Sequence, residues 1–159
     1  MSTHDVTNQV PPLVGNDLFR DDAALVEGLE RHGGGHAVRA ISELGRLAGT
    51  AHAQQLGEDA NTYPPRLRTH DPRGFRVDEV EFHPAWHELM ATAVDAGLAA
   101  APWAEPKGTG AHVARAAGFY VWSQVEAGHG CPISMTYAAV PALRTDPDVA
   151  AVWEHRLES

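Results

Sequence analysis

The run from His112 to Gly128, HVARAAGFYVWSQVEAG, is apolar around most of the circumference of a helix. Such a helix is not at home on a surface and needs neighbours on several sides. The rest of the chain must supply them, and with the helix signals read below the expected fold class is all-α, with about five or six helices. The composition agrees: Ala and Gly are abundant while Val, Ile and Phe are sparse, which favours helix over sheet. A length of 159 residues suits one domain and can bury a real core.

This central helix is expected over about 109 to 128, and Arg115 is its chemical exception. At 3.6 residues per turn, Trp122 and Glu126 fall almost in line with Arg115. Two readings stay open. Either the stripe is the wet side of the helix, or Arg115 is buried and paired, because a buried guanidinium without a partner is too costly. Arg115 and Glu126 are therefore candidate structural polar residues.

Local signals place the other elements. Pro11 and Pro12 forbid helix near the start, so residues 1–20 read as an extended arm, and residues 21–159 as the helical domain. Asp21 or Asp22 can cap a first helix with Leu25, Val26 and Leu29 on its apolar face. HGGGH (32–36) ends it. Those glycines lack the Lys-Ser/Thr pair and preceding strand of a phosphate cradle.

A second helix is expected from about His36 to Ala60, with Val38, Ile41, Leu44, Ala48 and Ala51 on one face. Gly45, Gly49 and Gly57 cost it stability, which makes sense if another helix backbone passes close by. Asp71-Pro72-Arg73-Gly74 is turn chemistry, and FRVDEVEF partly alternates, so a short hairpin is expected near 70–82. Pro84 opens a third helix to about Ala100. Helices also start at Pro132 and at Asp146-Pro147, the first running to about Leu143 and the second to about Leu157.

Charge excludes some functions. Lys plus Arg total 12 against 21 Asp plus Glu, a formal charge of −9, and Lys107 is the only lysine. Nucleic acid is not expected to bind through this chain. No segment is apolar for long enough to span a membrane, and the N-terminus has no signal-peptide pattern. A single cysteine, Cys131, agrees with a reducing, cytoplasmic location.

The stretch EAGHGCPISMTYA (126–138) concentrates polar and nucleophilic residue types at a helix junction. Cys131 with His129 as base is a weak nucleophile reading, since residues two apart at a turn seldom face each other and no orienting third group is evident. A small buried thiol is the expectation. His83 and His87, four apart, could share an ion, but zinc needs a third protein ligand and nothing fixes one. Helix-start hydrogen bonding and packing beside Trp86 are the expected roles, and no metal site is expected.

Three segments carry a resemblance: NQVPPLVGNDLFRDDAALVEGL (8–29), VEFHPAWHELM (80–90) and AHVARAAGFYVWSQVEAGHGCPISMTYAAVPAL (111–143). In this order they resemble the N-terminal helical part of AidB-like proteins. These are a branch of the acyl-CoA dehydrogenase flavoproteins linked to the adaptive response to DNA alkylation. The resemblance implies the first domain of a protein whose β-domain and C-terminal helical domain hold FAD between them. The family's Thr-Glu…Gly-Ser-Asp flavin signature does not occur in these residues. FAD is thus expected in the complete family protein and not on this chain alone, which is expected to be catalytically incomplete, with no catalytic residue of its own.

In relatives, the helix after the Cys-containing turn helps line the slot for the acyl chain beside the flavin. Carried over position by position, this implies Met135, Thr136, Ala139 and Leu143 as substrate-pocket residues. Core residues would look the same in sequence, and Pro141 threatens to displace the last of the four. The implied partners are the β-domain and C-terminal helical domain, or a chain supplying them, and a homo-oligomer is expected. The alternative is a stand-alone helical interaction or oligomerisation module without chemistry.

Overall fold

The computed structural model describes residues 3–158. Among them are seven α-helices and one two-stranded antiparallel hairpin. Helix α1 (Ala23–Arg31) starts where the Asp22 carboxylate accepts the Leu25 N–H at 2.9 Å. It ends before the left-handed Gly33.

The long second helix expected from the sequence is two helices, α2 (Val38–Ala48) and α3 (Ala51–Thr62). The break is local chemistry. Thr50 is extended (φ −74°, ψ 150°), and its hydroxyl accepts the Ala53 N–H at 3.1 Å, so it caps a fresh helix.

The three glycines on these helices do permit close approach, though of loops rather than another helix. A methyl on Gly49 would overlap the Asn16 carbonyl, and one on Gly45 would sit 2.8 Å from the Phe19 nitrogen. A methyl on Gly57 would overlap the Val125 carbonyl. The segment from Gly15 to Phe19 therefore lies directly on α2. Its Gly15 N–H donates to Gly49 O at 2.7 Å and its Leu18 N–H to Gly45 O at 3.2 Å. Asp17 accepts the Ser42 hydroxyl at 2.6 Å, and Phe19 is fully buried.

The hairpin pairs β1 (Arg66–His70) with β2 (Arg76–Glu81) and begins earlier than the sequence suggests. Arg68, placed opposite Glu79, bonds that side chain and pairs with Glu81, which extends the ladder back toward Arg66. The turn is as read: Gly74 N–H donates to Asp71 O, and Asp71 Oδ1 accepts from Arg73 and Phe75.

Helix α4 (Pro84–Asp95) has proline in its first turn and stops short of Ala100, because Gly97 adopts φ +70°. Leu98 and Ala100 are still buried beyond it. Helix α5 (Ala111–Trp122) is central and packs on α2. Helices α6 (Gly130–Leu143) and α7 (Pro147–Glu158) complete the chain and pack together. Phe19, Leu29, Leu89, Val121, Trp122 and Ile133 are large, fully buried apolar side chains of one continuous core. Trp122 also donates its indole N–H to Leu89 O at 3.1 Å, which ties α5 to α4.

Candidate functional site

Helix α6 carries no charged residue along its 14 positions. Only one side of it is covered. Ile133 and Val140 are buried, while Met135 is 67% exposed and Ala138 and Ala142 are exposed beside it. Thr136, Ala139 and Leu143 are half-buried at the margin of this open face. The four positions implied by the resemblance thus share one arc of the helix. The Thr136 hydroxyl is turned back to Pro132 O at 3.0 Å and presents no free hydrogen to the face. Pro141 lies inside the helix without ending it; Arg144 N–H still reaches Val140 O at 3.0 Å, so Leu143 keeps its helical position.

What fixes α6 is a polar and aromatic cluster on its covered side. Tyr137 is the hub. Its carbonyl accepts the Trp103 indole N–H at 2.8 Å, and its hydroxyl lies 2.9 Å from His112 Nδ1. The Arg115 guanidinium lies between two rings, 4.4 Å from Phe119 and 4.3 Å from Tyr137. Its Nε donates to Leu98 O at 2.7 Å. Burial pulls its pKa below the ordinary value, partly offset by Tyr137. Arg115 is thus half-buried, bonded to a carbonyl and held by aromatic faces. It has no bond to Glu126. In sequence, the only sign of the Tyr137 hub is one hydroxyl-bearing ring inside an apolar helix.

Glu126 is not on α5. That helix ends six residues earlier than expected, and the chain turns so that Glu126 faces the start of α6. Its carboxylate accepts the N–H groups of Gly128 (2.5 Å) and His129 (2.8 Å), and His129 Nδ1 lies 3.0 Å from Oε2. A carboxylate there also suits the positive end of α6. Burial alone would raise its pKa, yet these hydrogen bonds outweigh it and hold Glu126 below the ordinary carboxylate range. Cys131, expected as a buried thiol, is exposed, because the first turn of α6 points it away from the core. His129 is engaged with Glu126 and buried against Trp122.

His83 caps α4, its Nδ1 accepting the Ala85 N–H at 3.3 Å, and His87 packs edge-on to Trp86. Among the described residues no group of three or more His, Cys, Asp or Glu is placed to hold a metal ion. None of their helices is long and apolar enough to cross a membrane. A cavity of about 530 Å³ lies between α2, α5 and the 96–102 segment, with Ile41, Leu44, Leu98 and Arg115 on its walls. Met135, Thr136, Ala139 and Leu143 do not line it; their face is open surface.

Comparison with known proteins agrees with this architecture. A putative acyl-CoA dehydrogenase AidB of Escherichia coli strain K12 is 45% identical over 141 residues, covering 89% of this chain and 26% of the relative. The chain therefore spans about a quarter of that relative's length. The apo form of Bd2924 superposes with a TM-score of 0.82 at 27% identity, over 97% of this chain and 31% of that one. Caenorhabditis elegans ACDH-11, solved in complex with C11-CoA, gives a TM-score of 0.76 over 99% of this chain and 28% of that one. At 22% identity it speaks to the fold alone. The family described as the adaptive response protein AidB N-terminal domain matches residues 8–159. With its helices, its order of segments and this match together, the chain belongs to the AidB N-terminal domain family, as the helical N-terminal region of AidB-like acyl-CoA dehydrogenases.

Proposed function

We propose that this domain forms one wall of the acyl and flavin pocket of an AidB-like flavoprotein, with Met135, Thr136, Ala139 and Leu143 of α6 facing the acyl chain. The observation that carries the reading is an uncharged helix left open along one apolar side. Apolar surface of this kind is covered in a working protein. The β-domain and C-terminal helical domain typical of acyl-CoA dehydrogenases are the partners that would cover it, in a cytoplasmic homo-oligomer.

The residues on this face fit an alkyl chain or the edge of a flavin ring. They do not fit the flavin's phosphates, since α6 offers no cation. FAD would supply hydride acceptance when bound between the other domains. This chain's share is shape and the exclusion of water. The parent's role in protection against DNA alkylation belongs to the same proposal.

The test is Met135→Glu and Ala139→Trp in the full-length protein. Medium-chain acyl-CoA binding is expected to weaken at least about tenfold, with flavin content unchanged. Undiminished binding in both variants would overturn the reading.

A further inference from the structure

We propose that a second cavity, between the C-terminal end of α3 and the start of α4, binds a quaternary ammonium compound of the choline type. The cavity measures about 330 Å³, at the small end of ligand sites. Tyr63, Phe82 and Trp86 line it together with Pro64 and Pro65, and the Glu126 carboxylate closes one side. It is separate from the α6 face, since none of Met135, Thr136, Ala139 and Leu143 lines it.

Three features of the cavity favour a cation of this kind. The first is aromatic surface: Phe82 stacks on Trp86 at 4.0 Å, and Tyr63 on His83 at 4.9 Å. Ring faces attract alkylated ammonium groups through their quadrupoles.

The second is a fixed negative charge. The Glu126 side chain is only 7% exposed and accepts three N–H groups, two of them on Oε2. A carboxylate has about four acceptor positions, so Oε1, bonded to Gly128 alone, keeps capacity toward the cavity. The third is the α3 terminus. Ala60 and Asn61 border the cavity, and the last turn of α3 contains no basic residue to neutralise the negative end of the helix. No Lys or Arg lines the cavity, and His83 is its only basic side chain. His83 already accepts the Ala85 N–H through its Nδ1.

Calorimetric titration of the full-length protein with choline chloride tests this, against the neutral isostere 3,3-dimethylbutan-1-ol and against arginine at matched salt. Choline is expected to bind saturably, and the isostere at least about tenfold more weakly. Trp86→Leu and Tyr63→Leu should each weaken choline binding by about fivefold or more. Tyr63 is exposed, so its variant remains informative if Trp86→Leu fails to fold. Absence of saturable binding, equal binding of the isostere, or tighter binding of arginine than of choline would each overturn the proposal.

Discussion

His129 Nδ1 lies 3.0 Å from Glu126 Oε2 in a pair whose side chains are 2% and 7% exposed. The contact joins the turn after α5 to the first turn of α6. Removing the carboxylate strands the buried His129 N–H and imidazole away from water and takes the acceptor from the Gly128 N–H. Glu126→Ala is therefore expected to cost about 3 kcal/mol, measured as a lowered urea midpoint with an unchanged slope. Glu126→Gln, which keeps one carbonyl acceptor, should cost about half as much.

The same carboxylate makes stability depend on acid. Its folded pKa lies below the unfolded value, so the unfolded state binds the proton first as pH falls. The stabilisation is complete above the unfolded pKa, about 4.3, and is lost as pH drops through the folded one. Asp17 acts in the same direction: burial would raise its pKa, but the Ser42 hydroxyl and the backbone of Arg20 and Phe19 lower it. Urea midpoints should fall on acidification below about pH 5, and less steeply in Glu126→Gln. An identical acid slope in that variant would remove Glu126 from the account.

Two glycine substitutions should move stability in opposite directions. Gly49→Ala places a methyl group on the Asn16 carbonyl and should cost about 2–3 kcal/mol. Gly28, inside α1, has open space where a Cβ would go. Gly28→Ala should stabilise by about 0.5–1 kcal/mol. Thermal unfolding of both variants checks the pair.

Arg115→Lys keeps the charge but loses the planar group that fits between Phe119 and Tyr137 and the Nε–H donated to Leu98. A loss of about 1–2 kcal/mol is expected in denaturant unfolding. A neutral result would mean that the rings contribute little beyond their area.

How much of this could be read from the sequence depended on range. Helix starts were legible because their chemistry is local: Asp22, Pro84 and Asp146-Pro147 each do what those residue types do at a helix start. The break at Thr50 is hidden in sequence because the apolar face of α2 continues in phase into α3, and that periodicity outweighs one capping hydroxyl. The crowding at Gly45, Gly49 and Gly57 was legible, but its partners were not, since Asn16 and Val125 approach from far along the chain. In the site, local pattern leaves Arg115 between two readings because Phe119 and Tyr137 meet only after α5 and α6 dock. Nothing in the local pattern marks Trp122 as the last helical residue, so periodicity alone places Glu126 on the helix that the structure ends at Trp122.

The strand of backbone from Gly15 to Phe19 acts as a splint across the two small-residue gaps of α2. A gene designed to begin at the first helix would look sensible on a secondary-structure diagram. It would nonetheless leave an empty socket where Phe19 belongs and an unanswered Ser42 hydroxyl. Expression boundaries for this domain therefore belong upstream of residue 15, where purification tags can be appended without disturbing that splint.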